Sequence, residues 1–142
     1  MNLSEILTSL HINYYFLLKK VSKKHEITNS QALCILSISS NGVSQTELSR
    51  RLSIDLSTLS RNLDKLIYRG LIIKLLDSKD NRSYIIKLSN SGDVLYECLI
   101  KDLNGEFSFI LNNISIDDHD SILNYISIIN WEFEKLKNAN EL

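Results

Sequence analysis

Apolar residues recur near the start of the chain at steps of three and four: Leu3, Ile6, Leu7, Leu10, Tyr14, Leu17 and Val21. That is the period of an amphipathic helix and predicts one over residues 3–21. Thr28 and Gln31 form a T-x-x-Q capping box, which opens a second helix through about Ser39. Asn41-Gly42 ends it, since both residues tolerate a left-handed backbone. Ser44 and Glu47 form an S-x-x-E box that starts a short third helix, running to about Leu52. After the loop Ser53-Ile54-Asp55, Asp55 caps a fourth helix from about Leu56 to Arg69, and Gly70 stops it. In that helix Leu56, Leu59, Leu63, Leu66 and Ile67 fall on the face expected to meet a core.

The period then changes. LIIKLL (71–76) and YIIKL (84–88) are short, rich in Ile and Leu, and separated by the charged DSKDNRS. They predict two antiparallel strands and a hairpin tip. Ser89 caps a further helix over about 91–113, and SIDD (115–118) opens a last one to about Lys137. The order is four helices, a hairpin and two helices, which is a mainly α (α+β) chain. Its middle is a winged helix-turn-helix with a two-stranded β-wing, and its ends are long helices.

Composition limits what such a chain can be. At 142 residues, 44% hydrophobic and 23% charged, one domain can bury a real core. No apolar run approaches the roughly 20 residues of a membrane span, so no membrane role is expected. MNLSEILTSL lacks the basic start of a signal peptide. Cys34 and Cys98 are too few for a disulfide framework. These features predict a cytoplasmic protein.

The net charge of -1 argues against a polyanion partner until its distribution is considered. Between residues 44 and 87, nine Lys/Arg stand against five Asp/Glu; the remainder holds seven against twelve. A basic module therefore sits in an acidic frame, and a local patch is what a polyanion meets.

The fourth helix shows what the patch is for. Ser57, Thr58, Ser60, Arg61 and Lys65 remain on the faces opposite the leucines, mostly in the first half. In a helix-turn-helix, the N-terminal residues of the second helix enter the major groove of double-stranded DNA. Short hydroxyls let the backbone approach, and Arg can grip both acceptors of a guanine. Ser44, Gln45 and Thr46, at the start of the preceding helix, offer N–H groups and small polar side chains to a phosphate. At the hairpin tip, Lys79, Asp80, Asn81 and Arg82 sit where a wing would reach. Arg82 suits a narrow minor groove, with Asp80 holding its guanidinium. Taken alone, the helix reads as a solvated face of a structural helix, and the bland reading of the tip is an ordinary charged turn. Their succession favours DNA.

The run ITNSQALCIL…SQTELSRRLSIDLSTLSRNLDKLIYRGLIIKLLDSKDNRSYIIKLSNSG resembles the MarR family of bacterial transcription factors. The matching pieces are the T-x-x-Q start, the ELSRRLSID turn, the STLSRNLDKLIYRGLI helix, the wing residues Asp80, Arg82 and Ser83, and LSNSG. They cover roughly residues 27–92; Ser89 stands where the family more often has Thr. The resemblance implies a single domain over 1–142, with a winged helix at about 28–90. Helices at about 1–22 and 91–142 would build a homodimer that reads a palindromic operator, usually as a repressor. It also implies a small-molecule effector that changes the spacing of the two recognition helices, in a pocket near Tyr14, Tyr15 and Cys34.

The ends of the chain fit a dimer by composition too. The last helix carries Ile122, Leu123, Tyr125, Ile126, Ile128, Ile129, Trp131, Phe133 and Leu136, more apolar perimeter than one core face needs. Tyr14 to Leu18 are also apolar in succession. Both cysteines lie among apolar neighbours, as small hydrophobes do. His11, His25 and His119 are scattered, and Asp117, Asp118 and Asp120 fit a helix start, so no metal or other cofactor is expected. No nucleophile–base pair or phosphate loop points to an enzyme, and no catalytic residue is expected. The alternative is a winged helix for protein contact without DNA binding; the basic patches at Arg61–Lys65 and Lys79–Arg82 argue against it.

Overall fold

The structure is a computed structural model that describes residues 1–140. It contains α1 (Leu3–Lys24), α2 (Asn29–Ser37), β1 (Val43–Ser44), α3 (Gln45–Leu52), α4 (Leu56–Tyr68), β2 (Ile72–Leu76), β3 (Tyr84–Leu88), α5 (Asn90–Leu111) and α6 (Ile116–Ala139). The expected winged helix-turn-helix is present. The described residues form two compact units, one of residues 1–103 and one beginning at Asn104, so that α5 contributes to both.

The first unit holds the core. Leu18 and Val21 of α1, Ala32, Cys34 and Ile35 of α2, Leu48 of α3, Leu59, Leu63 and Leu66 of α4, Ile72, Ile86 and Leu99 are all buried. On α4 the buried set is narrower than the sequence suggested. Leu56 is 50% exposed and Ile67 36%, because they flank the Leu59–Leu63–Leu66 seam rather than extend it. Most of the α1 stripe is also uncovered within this chain: Leu3, Ile6, Leu10 and Tyr14 are exposed.

The sheet has one strand more than expected, in the order β1-β3-β2. The hairpin pairs Ile72 with Leu88 through Leu76 with Tyr84, and Val43 and Ser44 add a short antiparallel edge against Ile86 and Ile85. Two residues are too few to read as a strand from periodicity. Gly42 makes the edge possible: at φ +86° its missing side chain leaves room for Ile85 and Lys87. Correspondingly, α2 ends earlier than Asn41-Gly42, with Ile38 at its C-cap.

Three helices end in the same way. After α1 the N–H groups of Glu26 and Ile27 donate to Lys23 and Ser22 carbonyls; after α3 those of Ser53 and Ile54 donate to Arg50 and Ser49. After α4, Gly70 and Leu71 donate to Ile67 and Leu66. This double bond is the Schellman closure, which puts its pivot residue in the left-handed region. Gly70 is the expected pivot, whereas Glu26 (φ 57°) and Ser53 (φ 54°) are not glycines. The apolar residue that follows each pivot, Ile27, Ile54 or Leu71, is at least half-buried, and its burial helps hold the turn.

In the second unit α6 starts after Ser115, which makes no side-chain cap bond. The His119 ring lies 3.0 Å from the Leu111 carbonyl and 3.2 Å from that of Ile114, which closes the turn into α6 instead. No residue of α6 is buried; Leu123, Tyr125, Ile126, Trp131 and Phe133 are all exposed.

Candidate nucleic-acid interface

The start of α4 is set by Asp55. Its Oδ1 accepts the Thr58 N–H at 3.1 Å, and its Oδ2 accepts the Ser57 hydroxyl at 2.8 Å. The Thr58 and Ser57 bonds hold this carboxyl below its usual range. With the backbone pinned, Ser57, Arg61 and Lys65 project as an exposed stripe, while Thr58 and Ser60 are half-buried beside it. Arg61 Nη2 lies 3.4 Å from the Thr58 hydroxyl, a weak contact that leaves the guanidinium free to reach outward.

Ser44 caps α3 by accepting the Glu47 N–H at 3.0 Å. The other half of the expected capping box is absent. The Glu47 carboxylate is taken by Arg50 at 2.8–2.9 Å and Arg51 at 3.0 Å, chiefly Arg50, which lowers its pKa from 4.5 to about 2. Arg51 also donates to the Ser37 carbonyl and the Ser39 hydroxyl, so α3 is tied to the end of α2. Gln45 is half-buried, and Thr46 is exposed at the helix start.

Lys79, Asp80, Asn81 and Arg82 lie together on the exposed hairpin tip. Asp80 does not hold the Arg82 guanidinium; its Oδ1 accepts the Arg82 backbone N–H at 3.0 Å. A carboxylate two residues upstream reaches that N–H first, as in an Asx turn. Asp77 does the same for Lys79 at 2.9 Å and also meets the Ser83 hydroxyl at 3.3 Å. Sequence reasoning missed Asp77, although an Asp two residues before the tip is the signal for such a turn. The two aspartates shape the tip through the backbone N–H groups of Lys79 and Arg82, whose residues stay exposed.

Near the other end of α4 lies an open groove of about 1050 Å³. Tyr15, Lys19 and Lys23 of α1 form one side, Asp64, Lys65, Tyr68 and Arg69 another, with Glu26 and the first turn of α2 between them. Tyr15 is the one member of the sequence-predicted effector set on its wall. Cys34 is fully buried inside α2, where burial pushes its thiol up to about 11. Tyr14 is on the edge of exposure, and burial raises its phenol. Lys19, Lys23 and Arg69 escaped sequence reasoning because no local spacing links α1 to the end of α4.

This geometry has known counterparts. A protein-family model described as MarR family matches residues 25–83. Over residues 25–83 the chain carries a winged helix like that of the MarR family. The multiple antibiotic resistance protein MarR of Salmonella typhimurium is 36% identical over 73 residues, 51% of this chain and 51% of that protein. The match thus spans about half the length of that relative. Among solved structures, wild-type apo MarR from E. coli superposes with a TM-score of 0.76 at 25% identity, over 91% of this chain and 96% of that one. A MarR transcriptional regulator from Methanosarcina mazei gives 0.81 at 24% identity, over 94% and 96%. The MarR-type fold therefore extends well beyond the segment that the family model matches. No helix among the described residues is long and apolar enough to cross a membrane.

Proposed function

We propose that the protein is a cytoplasmic, homodimeric transcriptional regulator whose two winged helices read a palindromic operator, with repression as the outcome. The observation that carries this reading is the exposed Ser57–Arg61–Lys65 stripe, which runs from the start of α4 into its last turn, backed by the buried Leu59–Leu63–Leu66 seam. Base edges in the major groove are read by such a helix start, and Arg61 is its bidentate donor. The Ser44–Thr46 start of α3 takes a phosphate, and Arg82 on the wing takes the adjacent minor groove.

A dimer follows from the uncovered apolar groups of α1 and α6. Apolar patches of this extent mark an interaction surface, and a two-fold dimer matches a palindrome with half-sites one helical turn apart. The groove beside Tyr15 is where an effector would bear on the recognition helix. Four cations, Lys19, Lys23, Lys65 and Arg69, against Glu26 and Asp64 favour an anionic one.

The test is fluorescence anisotropy with the duplex upstream of the protein's own gene and a shuffled duplex, across a salt series. Tighter binding to the native sequence, with a steep salt slope and two protomers per duplex, is expected. If neither that duplex nor any recovered from a random pool is preferred over its shuffled form, the reading fails.

A further inference from the structure

A chain of polar contacts joins the far end of the recognition helix to α5. Arg69 is the C-cap residue of α4, and its Nη1 donates to the Glu26 carbonyl at 2.7 Å. Glu26 is the left-handed pivot that closes α1. The guanidinium thus sits where two helices end, and helix C-termini attract cations. The two residues before Glu26 continue the chain. Lys24 Nζ lies 3.0 Å from Asp102 Oδ1, and the His25 ring 2.7 Å from Asp102 Oδ2. His25, then Lys24, hold the Asp102 carboxyl below its usual range. Asp102 stands on α5, next to buried Leu103. Ile27, next to Glu26, is buried as well, so the middle of this chain and its Asp102 end are anchored in the core.

A non-glycine residue in the left-handed region is uncommon and persists when its surroundings over-determine it. Here the surroundings are the Schellman bonds, the burial of Ile27, the Asp102 contacts and Arg69. The leverage is geometric. Arg61 lies eight residues before Arg69, about 12 Å along the helix at about 1.5 Å per residue. A tilt of about 5° pivoting at Arg69 moves Arg61 by about 1 Å, beyond the roughly 0.5 Å within which a preorganised contact must be held. The leucine seam fixes α4 on one side, but Leu56 and Ile67 at its two margins are exposed, so a second restraint matters.

We propose that Arg69 is a positioning residue for operator reading: by gripping the Glu26 carbonyl it fixes the angle of α4, and Asp102 supports that grip from α5 through Lys24 and His25. The proposal rests on the DNA reading above. It makes Arg69 act on specificity without touching DNA.

The experiment uses the full chain and the best duplex that the unsubstituted protein recovers from a random pool, beside its shuffled form, across a salt series. Thermal unfolding of each variant is followed in parallel. Arg69→Ala is expected to lower the ratio of affinities for the two duplexes by about tenfold, the scale of one charge-assisted hydrogen bond, with an unchanged salt slope. Arg69→Lys, which keeps the charge and one donor, should restore most of the ratio. Asp102→Asn, remote from the reading stripe, should shift it in the same direction as Arg69→Ala. A salt slope reduced by about one in Arg69→Ala would make Arg69 a phosphate contact and overturn the proposal. An unchanged ratio in a folded Arg69→Ala would do so too. If Arg69→Ala does not fold, Arg69→Lys and Asp102→Asn decide: ratios unchanged in both overturn the proposal. A protein that prefers no duplex would sink the DNA reading itself, before any variant is compared, and this proposal with it.

Discussion

At the residue scale, the candidate reading side chains form one exposed stripe along α4. Ser57, Arg61 and Lys65 are exposed where helical spacing puts them, because a leucine stripe at period 3.6 leaves the opposite face no alternative. Asp80 shows the limit. Charge alone pairs it with the Arg82 guanidinium, but local reach favours the backbone N–H. Arg82 is therefore exposed at the tip, with its backbone N–H rather than its guanidinium on Asp80. Arg82→Ala is expected to weaken operator binding and reduce the salt slope by about one; an unchanged slope would remove the wing from the phosphate and groove contacts. Arg61→Ala is expected to cost about 1–3 kcal/mol of discrimination at the base it reads, measured with operators substituted one position at a time. Equal weakening on all duplexes would make Arg61 a phosphate contact.

At the element scale, caps at helix starts were readable and helix ends less so. Thr28 with Gln31 and Asp55 with Thr58 are formed as their patterns predict, since a cap is a contact within three residues. The pivots Glu26 and Ser53 carry no sequence signal, because glycine is the expected residue there. Gly92 has the reverse character: it sits inside α5 without a turn. A Cβ there would collide with the Leu71 carbonyl oxygen. Gly92→Ala is therefore expected to destabilise the fold by about 1–3 kcal/mol through overpacking, despite the better helix propensity of Ala; urea unfolding measures it. Glu47 links α3 to pH. Its carboxyl titrates near 2 in the fold instead of 4.5, so the ionised form stabilises the fold above about pH 4.5 and that contribution fades as pH falls toward 2. Glu47→Gln should lower stability at neutral pH and flatten the acid limb in that window. An acid limb identical to the parent's would show that Arg50 and Arg51 do not depend on Glu47.

At the scale of the whole molecule, the expected dimer rests on what this chain leaves uncovered. Trp131 is 64% exposed and Phe133 50%, large groups that a single chain gains nothing by presenting to water. Trp131→Glu is expected to shift the protein toward monomer in light scattering and, with it, to weaken binding to a two-half-site duplex. A dimer unaffected by Trp131→Glu and by Phe133→Glu, which lie on different sides of α6, would move the interface away from that helix. The groove beside Tyr15 also belongs to this scale, since its walls come from α1, α2 and α4.

Six helices, the hairpin, their order and the stripe of polar residues along α4 were legible in the chain alone, because each depends on periodicity or on contacts a few residues apart. The sequence also carried the family resemblance, which rests on a contiguous run. Tertiary structure decided which apolar stripes are covered, where Val43 and Ser44 pair, and that Arg69 meets Glu26 and His25 meets Asp102. Those partners lie 43 and 77 residues apart, and only the packed chain brings them within hydrogen-bond distance.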